Sequence, residues 1–208
     1  MKILVVLLSV LYSGACFSEP SLCTYQTYKW NTHTHQAEAF EQVQKPYSAI
    51  TKEEIDELTS CTVCQEDQIE VIIGDIKPFK LCKKIAADIQ YAIEEAISLG
   101  QLVVEIVGYR VGKTKGDVDK YGYRLQFSNH SFGIAFDINP MYNGLYDNCL
   151  TYNINCRLIK GGQWHPNQPE SLRESDHVVR IMKSIGFNWG GTILGRQKDY
   201  MHFSLSGY

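Results

Sequence analysis

The chain has 208 residues, enough for one ordinary domain with its own core and short for two. Hydrophobic residues make up 44% and charged residues 21%, a globular composition that excludes a disordered or low-complexity protein. The net charge of -3 counts against a nucleic-acid binder, which carries a basic face.

Residues 1–18 read as an export signal. Lys2 is a short positive start, Ile3 to Tyr12 an apolar run, and Ser13, Gly14, Ala15 and Ser18 supply small residues for cleavage. The run falls short of the roughly 20 apolar residues that span a bilayer, and no later segment qualifies, so the mature chain is expected to have no transmembrane segment. A cut after Ser18 is preferred to one after Ala15. Cys16 ends a lipoprotein-like stretch that lacks the leucine usual three residues earlier, so a soluble secreted or periplasmic protein is preferred to an anchored one. Loss of the signal takes the charge from -3 to -4 and leaves six cysteines: Cys23, Cys61, Cys64, Cys82, Cys149 and Cys156. An even number in an exported chain reads as disulfides, with Cys149–Cys156 the expected pair across a polar loop. Cys61-x-x-Cys64 has no second such pair and no nearby histidine, which favours disulfides over a redox or zinc half-site.

Residues 19–60 are polar with little periodicity. The stretch from Trp30 to His35 alternates like an edge strand, and its two histidines, His33 and His35, read as polar surface. Thr51, Glu53, Glu54 and Leu58 predict a capped helix of two or three turns. Ile69–Ile73, stopped by Gly74, is a strand candidate. Ile85, Ile89, Ala92, Ile93, Ala96 and Ile97 recur at helical spacing before Gly100, the clearest helix of the chain. Leu102–Val107 is β-rich and leads into Gly108-Tyr109-Arg110. Residues 111–127 are rich in glycine and lysine and read as loop. Phe132–Ile138 is strand-like and ends at Asn139-Pro140. Residues 141–170 form a long polar loop. Ser175 caps a second helix stopped by Gly186, and Tyr200–Leu205 alternates as a last strand. Strands and helices without a βαβ rhythm indicate an α+β fold: a small antiparallel sheet packed by two main helices. Three regions are expected: signal peptide 1–18, an N-terminal extension 19–95 and a catalytic core 96–208.

The stretch Ser128-Asn-His130-Ser-Phe-Gly133-Ile-Ala135-Phe-Asp137 carries the chemistry. On a strand, Gly133, Ala135 and Asp137 share one face, and the small residues leave room beside the carboxylate. His130 lies seven residues from Asp137, an odd spacing. A straight strand would hold the two on opposite faces roughly 23 Å apart. They can share a metal only if the chain turns back near Gly133, which a glycine permits. The second piece is Asp199-Tyr-Met-His202-Phe203, preceded by the aromatic-glycine turn Trp189-Gly190-Gly191.

These residues, in this order, resemble the zinc D-alanyl-D-alanine carboxypeptidase and L-alanyl-D-glutamate endopeptidase family of bacterial and phage cell-wall peptidases. The resemblance covers about residues 102–206. It implies a hedgehog/D-Ala-D-Ala metallopeptidase-like fold and one zinc ion held by His130, Asp137 and His202. Two imidazoles and one carboxylate leave the fourth position open, as a catalytic zinc site needs. It implies Asp199 as general base and acid, in place of the glutamate of many relatives. Arg110 matches the family arginine beside the substrate, with Arg124 its rival. Ser128 and Trp189 are candidate substrate contacts. Ser204 stands where many relatives carry an acidic or amide residue. The implied substrate is a peptidoglycan stem peptide, cut either at its terminal D-alanine or between L-alanine and D-glutamate. The competing reading is a non-catalytic zinc-containing module that binds wall peptides or a partner protein. Taken singly, each of these residues has a bland explanation. His130 would be a surface histidine, Asp137 a turn residue before Asn139-Pro140, and His202 a half-buried strand residue. Only the order and spacing favour the metal.

Overall fold

The computed structural model describes residues 20–207, so the signal-peptide reading of 1–18 and the lipoprotein alternative at Cys16 lie outside it. In chain order the elements are β1 (Leu22–Asn31), β2 (Gln36–Pro46), β3 (Gln68–Val71), β4 (Phe79–Cys82), α1 (Ala86–Ser98), β5 (Ile106–Val107), β6 (Lys113–Val118), β7 (Arg124–Phe127), β8 (Ala135–Ile138), β9 (Leu145–Asp147), β10 (Arg157–Lys160), α2 (His177–Ser184), β11 (Asn188–Trp189), β12 (Lys198–Asp199) and β13 (His202–Ser204). The fold is α+β with two helices. The strands form several small sheets, where the sequence led us to expect one: β2-β1-β6-β7, β11-β13-β8-β5, β10-β9-β12 and β3-β4. All pairings are antiparallel except that of β1 with β6.

The main core lies between β11-β13-β8-β5 and the helices. Ile89, Ile93 and Ala96 of α1 and Val178, Val179 and Met182 of α2 pack with Phe136, Ile138 and Phe203. Phe136 and Phe203 stack with ring centroids 5.4 Å apart. Gly100 and Gly186 stop the helices in the left-handed region, at φ 91° and 94°. The N-cap position of α2 is Asp176 rather than Ser175; its carboxylate makes no bond to the helix and instead accepts from the Arg173 backbone N–H at 2.9 Å and from Arg173 Nε at 3.0 Å.

A smaller core lies under the β1–β2 hairpin and holds Cys23, Val63, Cys64, Cys82, Phe132 and Ile134. Disulfides Cys23–Cys64 and Cys61–Cys82 cross it, and Cys149–Cys156 closes the loop between β9 and β10, the pair expected from sequence. Buried carboxylates brace the same region. Glu54 takes hydrogen bonds from Tyr25 and, at 2.5 Å, from Lys45. Asp67 takes them from Tyr47, Thr62 and Lys83 at 2.5–2.6 Å.

Several elements depart from the sequence reading for identifiable reasons. The helix expected after Thr51 is one 3₁₀ turn, Lys52–Glu54. Glu54 does hydrogen-bond back to Thr51, at 2.7 and 2.8 Å, but Ile55 then bridges to Thr62 and pulls the chain out of helix. Residues 111–127 are the β6–β7 hairpin rather than loop; register shifts at Lys113/Lys115 and Lys115/Val118 break the alternation that marks a strand. His33 and His35 sit in the exposed β1–β2 turn. Only Ile106–Val107 of the 102–107 run is paired as strand.

Candidate metal centre

Two of the three expected ligands come together through strand register. His202 on β13 lies directly opposite Asp137 on β8, and directly opposed residues of an antiparallel pair project to the same side. The third arrives by the turn that the odd spacing demanded. Residues Asn129–Phe132 form a 3₁₀ turn that ends at Gly133 with φ 66°. Only glycine fits: a Cβ there would stand 2.0 Å from Gln68 Oε1 and 2.5 Å from the Cys82 nitrogen. The Cys82 N–H donates to the Gly133 carbonyl at 3.0 Å, so β4 buttresses the turn that carries His130.

His130 Nε2, Asp137 Oδ1 and His202 Nδ1 are each 3.2 Å from the other two, and all three residues are buried. Such a triangle matches three corners of a tetrahedron whose centre lies about 2.0 Å from each atom, the length of zinc–nitrogen and zinc–oxygen bonds. The His130 Nδ1 lies 2.9 Å from the Gly108 carbonyl. The ligating tautomer is the one whose Nδ1 proton goes to that carbonyl and whose Nε2 lone pair faces the other two donors. Burial, first, pulls the His130 pKa down to about 4, with the Arg110 charge adding to it and Asp137 opposing. The imidazole is therefore neutral at pH 7. Burial pushes the Asp137 carboxyl up, but the neighbouring histidines and Arg110 outweigh it and hold the group ionised, well below the usual range. Two lone pairs and an anion converging in a buried space repel one another unless a cation lies between them, so the donor set fits a divalent metal.

The remaining candidates divide. Arg110 stands at the cluster, donating from Nη2 to Asp137 Oδ2 at 2.9 Å, with Nη1 2.9 Å from His130 Nδ1. Arg124 bonds the Gly116 carbonyl and ties the β6–β7 hairpin instead. Ser128 precedes the 3₁₀ turn; its hydroxyl lies 3.2 Å from that of Ser131, which bonds Gly112. Trp189 is a core residue: it is buried, edge-on to Tyr200, and its Nε1 donates to the Tyr200 carbonyl at 2.8 Å. Asp199 is buried on β12, one short turn before His202. Gly190 makes room for it, since a Cβ there would meet the Asp199 carbonyl at 2.2 Å.

Three residues escaped the sequence reading. Asn129 donates to Ser204 Oγ at 2.6 Å and to the Gly207 carbonyl at 2.7 Å, tying the His130 turn to the end of β13. Asn139 lies in the left-handed region and holds Leu102, Val104, Glu105 and Glu170 through four hydrogen bonds of 2.8–3.2 Å, which brackets the end of the Asp137 strand. Lys160 feels the charges of Arg110, Asp137 and Asp199, though it lies in a loop that sequence left featureless. Only the polar Asn139-Pro140 pair left a signal, and it was read as a simple strand stop.

No curated protein and no solved structure matches the chain. Residues 123–205 match the family described as D-alanyl-D-alanine carboxypeptidase. That span contains His130, Asp137, Asp199 and His202 and leaves Arg110 and the N-terminal hairpin outside it. The segment of this chain that holds all three converging donors is thus the part that is similar to the D-alanyl-D-alanine carboxypeptidase family.

Proposed function

We propose that the chain is an exported zinc metallopeptidase that hydrolyses peptide bonds of peptidoglycan stem peptides. The observation that carries this reading is the triangle of His130 Nε2, Asp137 Oδ1 and His202 Nδ1 with 3.2 Å sides inside the matched segment. A zinc ion held by these residues would supply Lewis-acid chemistry for the scissile carbonyl and for the attacking water. The protein's own groups do the rest. Asp199 takes the proton of the attacking water and returns it to the leaving amine. Arg110 offers a guanidinium beside the site, suited to a developing oxyanion or a peptide carboxylate. The Gly108 carbonyl, 2.9 Å from His130 Nδ1, accepts the Nδ1 proton of the ligating tautomer. A cavity of about 400 Å³ runs from Arg110 along Tyr109 and Val111 to Gln26, Tyr28 and Phe40 of the N-terminal hairpin, giving an extended substrate somewhere to lie. Three disulfides fit an oxidising compartment, and among the described residues no helix is long and apolar enough to cross a membrane.

The test is mass spectrometry of muropeptides incubated with the mature, zinc-loaded chain. Loss of one alanine identifies a carboxypeptidase; a cut between L-alanine and D-glutamate identifies an endopeptidase. Asp199→Asn should retain its zinc and lose at least about 100-fold in kcat. Unchanged muropeptides with the wild type would reject the reading, and binding without hydrolysis would leave a recognition module.

A further inference from the structure

Lys160 ends the arm that the Cys149–Cys156 disulfide closes, and three features fix its place relative to Asp199. The first is register. In the sheet β10-β9-β12, Leu145 of β9 lies opposite Lys160 on one side and Asp199 on the other, so the three side chains form a row on one face. The neighbouring row turns the other way, carrying Tyr146 into the main core. The second is a β-bulge. Leu158 pairs with Tyr146, and a regular ladder would then set Ile159 opposite Leu145 and turn Lys160 to the core face. The bulge between Leu158 and Lys160 sets Lys160 in the row of Asp199 instead. The third is close packing at the root of the arm. A Cβ on Gly162 would stand 1.7 Å from the Met141 carbonyl, and one on Gly144 would stand 3.0 Å from the Lys160 carbonyl. The arm is pressed against the chain that continues from the Asp137 strand.

Charge points to what this row receives. Asp137 and Asp199 are balanced by Arg110 and Lys160, so a divalent ion leaves the centre at +2. Arg110 is paired with Asp137 at 2.9 Å. Among the described residues no carboxylate lies within ion-pair distance of Lys160 Nζ, although Asp137, Asp199 and Arg110 all act on it. Lys160 is exposed, and burial of its surroundings followed by the Arg110 charge pulls its pKa below the ordinary lysine value. An incoming anion offsets the Arg110 charge at the lysine.

We infer that Lys160 forms, together with Arg110, a subsite for a free α-carboxylate of the substrate peptide, and so helps select which bond reaches Asp199. The inference rests on the peptidase reading for its substrate. Two carboxylates of a stem peptide have this chemistry: that of the terminal D-alanine and the α-carboxylate of D-glutamate. Each is tested by its amide, a C-terminal amide for the first and D-isoglutamine for the second. With the zinc-loaded wild type, kcat/KM should favour the acid over the amide in one of the two arms. In Lys160→Met that preference should fall about tenfold, through KM rather than kcat, and Lys160→Arg should restore most of it. Circular dichroism and melting temperature must match the wild type. Calorimetric titration of each acid and amide into the metal-free chain reads the same subsite without turnover; the wild type should bind one acid about tenfold more tightly than its amide, and Lys160→Met should not. Equal acid preference in wild type and Lys160→Met, in both arms and both assays, overturns the inference while leaving the peptidase reading intact. Absence of hydrolysis by the wild type rejects the peptidase reading, and calorimetry then decides the subsite alone.

Discussion

Three side chains converge at the centre because each is held by a different local device. His202 and Asp137 share a strand pair, and His130 depends on a glycine in the left-handed region. Replacing His202 by Ala removes one corner of the donor triangle. The zinc retained after dialysis, measured by atomic emission, should fall from about one ion per chain to near zero, because a site of two donors no longer matches a tetrahedral ion. Gly133→Ala adds a methyl group that collides with Gln68 and with the Cys82 backbone, in a conformation that disfavours any side chain. It should cost about 2–3 kcal/mol in denaturant unfolding and weaken zinc retention as well, since His130 rides on the same turn. The turn itself was legible: an odd spacing between two ligands cannot be met by a strand. The bond from Asn129 to Ser204 was not legible, because a hydrogen bond across 75 residues leaves no trace in local pattern.

At the level of elements, periodicity located both helices and the two strands that carry Asp137 and His202. It failed where the pattern is interrupted. Bulges in β6, β7 and β10 shift side chains between faces, so these strands read as loop. The hairpin β1–β2 has a register irregularity between Thr27 and Lys29 and a largely polar outer strand, which hid two long elements. The N-terminal region compensates with covalent closure. The Cys23–Cys64 bond spans 41 residues, and its removal by a double Cys→Ala change should cost about 4 kcal/mol in the chain-entropy account. Chemical denaturation of the variant against the wild type, both oxidised elsewhere, measures it. A loss under about 1 kcal/mol would mean that the braces of Glu54 and Asp67 hold the region without the bond.

For the whole molecule, acid is the informative stress. Burial raises the Glu54 pKa, but hydrogen bonds from Lys45, Tyr25 and Thr51 outweigh it and hold the group down at about 2, against an ordinary 4.5. Because the folded value is depressed, this stabilisation is complete above about pH 4.5 and is lost as pH falls through about 2. It amounts to about 3 kcal/mol. Asp67 is shifted in the same direction, burial again being overcome by Lys83, Thr62 and Tyr47. Melting temperature should therefore fall between pH 4.5 and 2, and Glu54→Gln should flatten that fall while lowering stability at pH 7.

The sequence alone was enough to indicate the α+β class and the Cys149–Cys156 pairing, and its resemblance to a known family singled out His130, Asp137 and His202, which the fold brings together. The first two are matters of periodicity and short spacing, and the third of motif order, so they survive without knowledge of distant contacts. Tertiary structure decided the division into several small sheets, the pairing of the other four cysteines, the burial of Trp189, the choice of Arg110 over Arg124 beside Asp137, and the place of Lys160 in the row of Asp199. Each depends on segments far apart in the chain meeting at one place, and strand pairing and bulges set that meeting to within a residue. A single bulge at Ile159 turns Lys160 from the core face to the row of Asp199, and nothing in the residues around it announces the change.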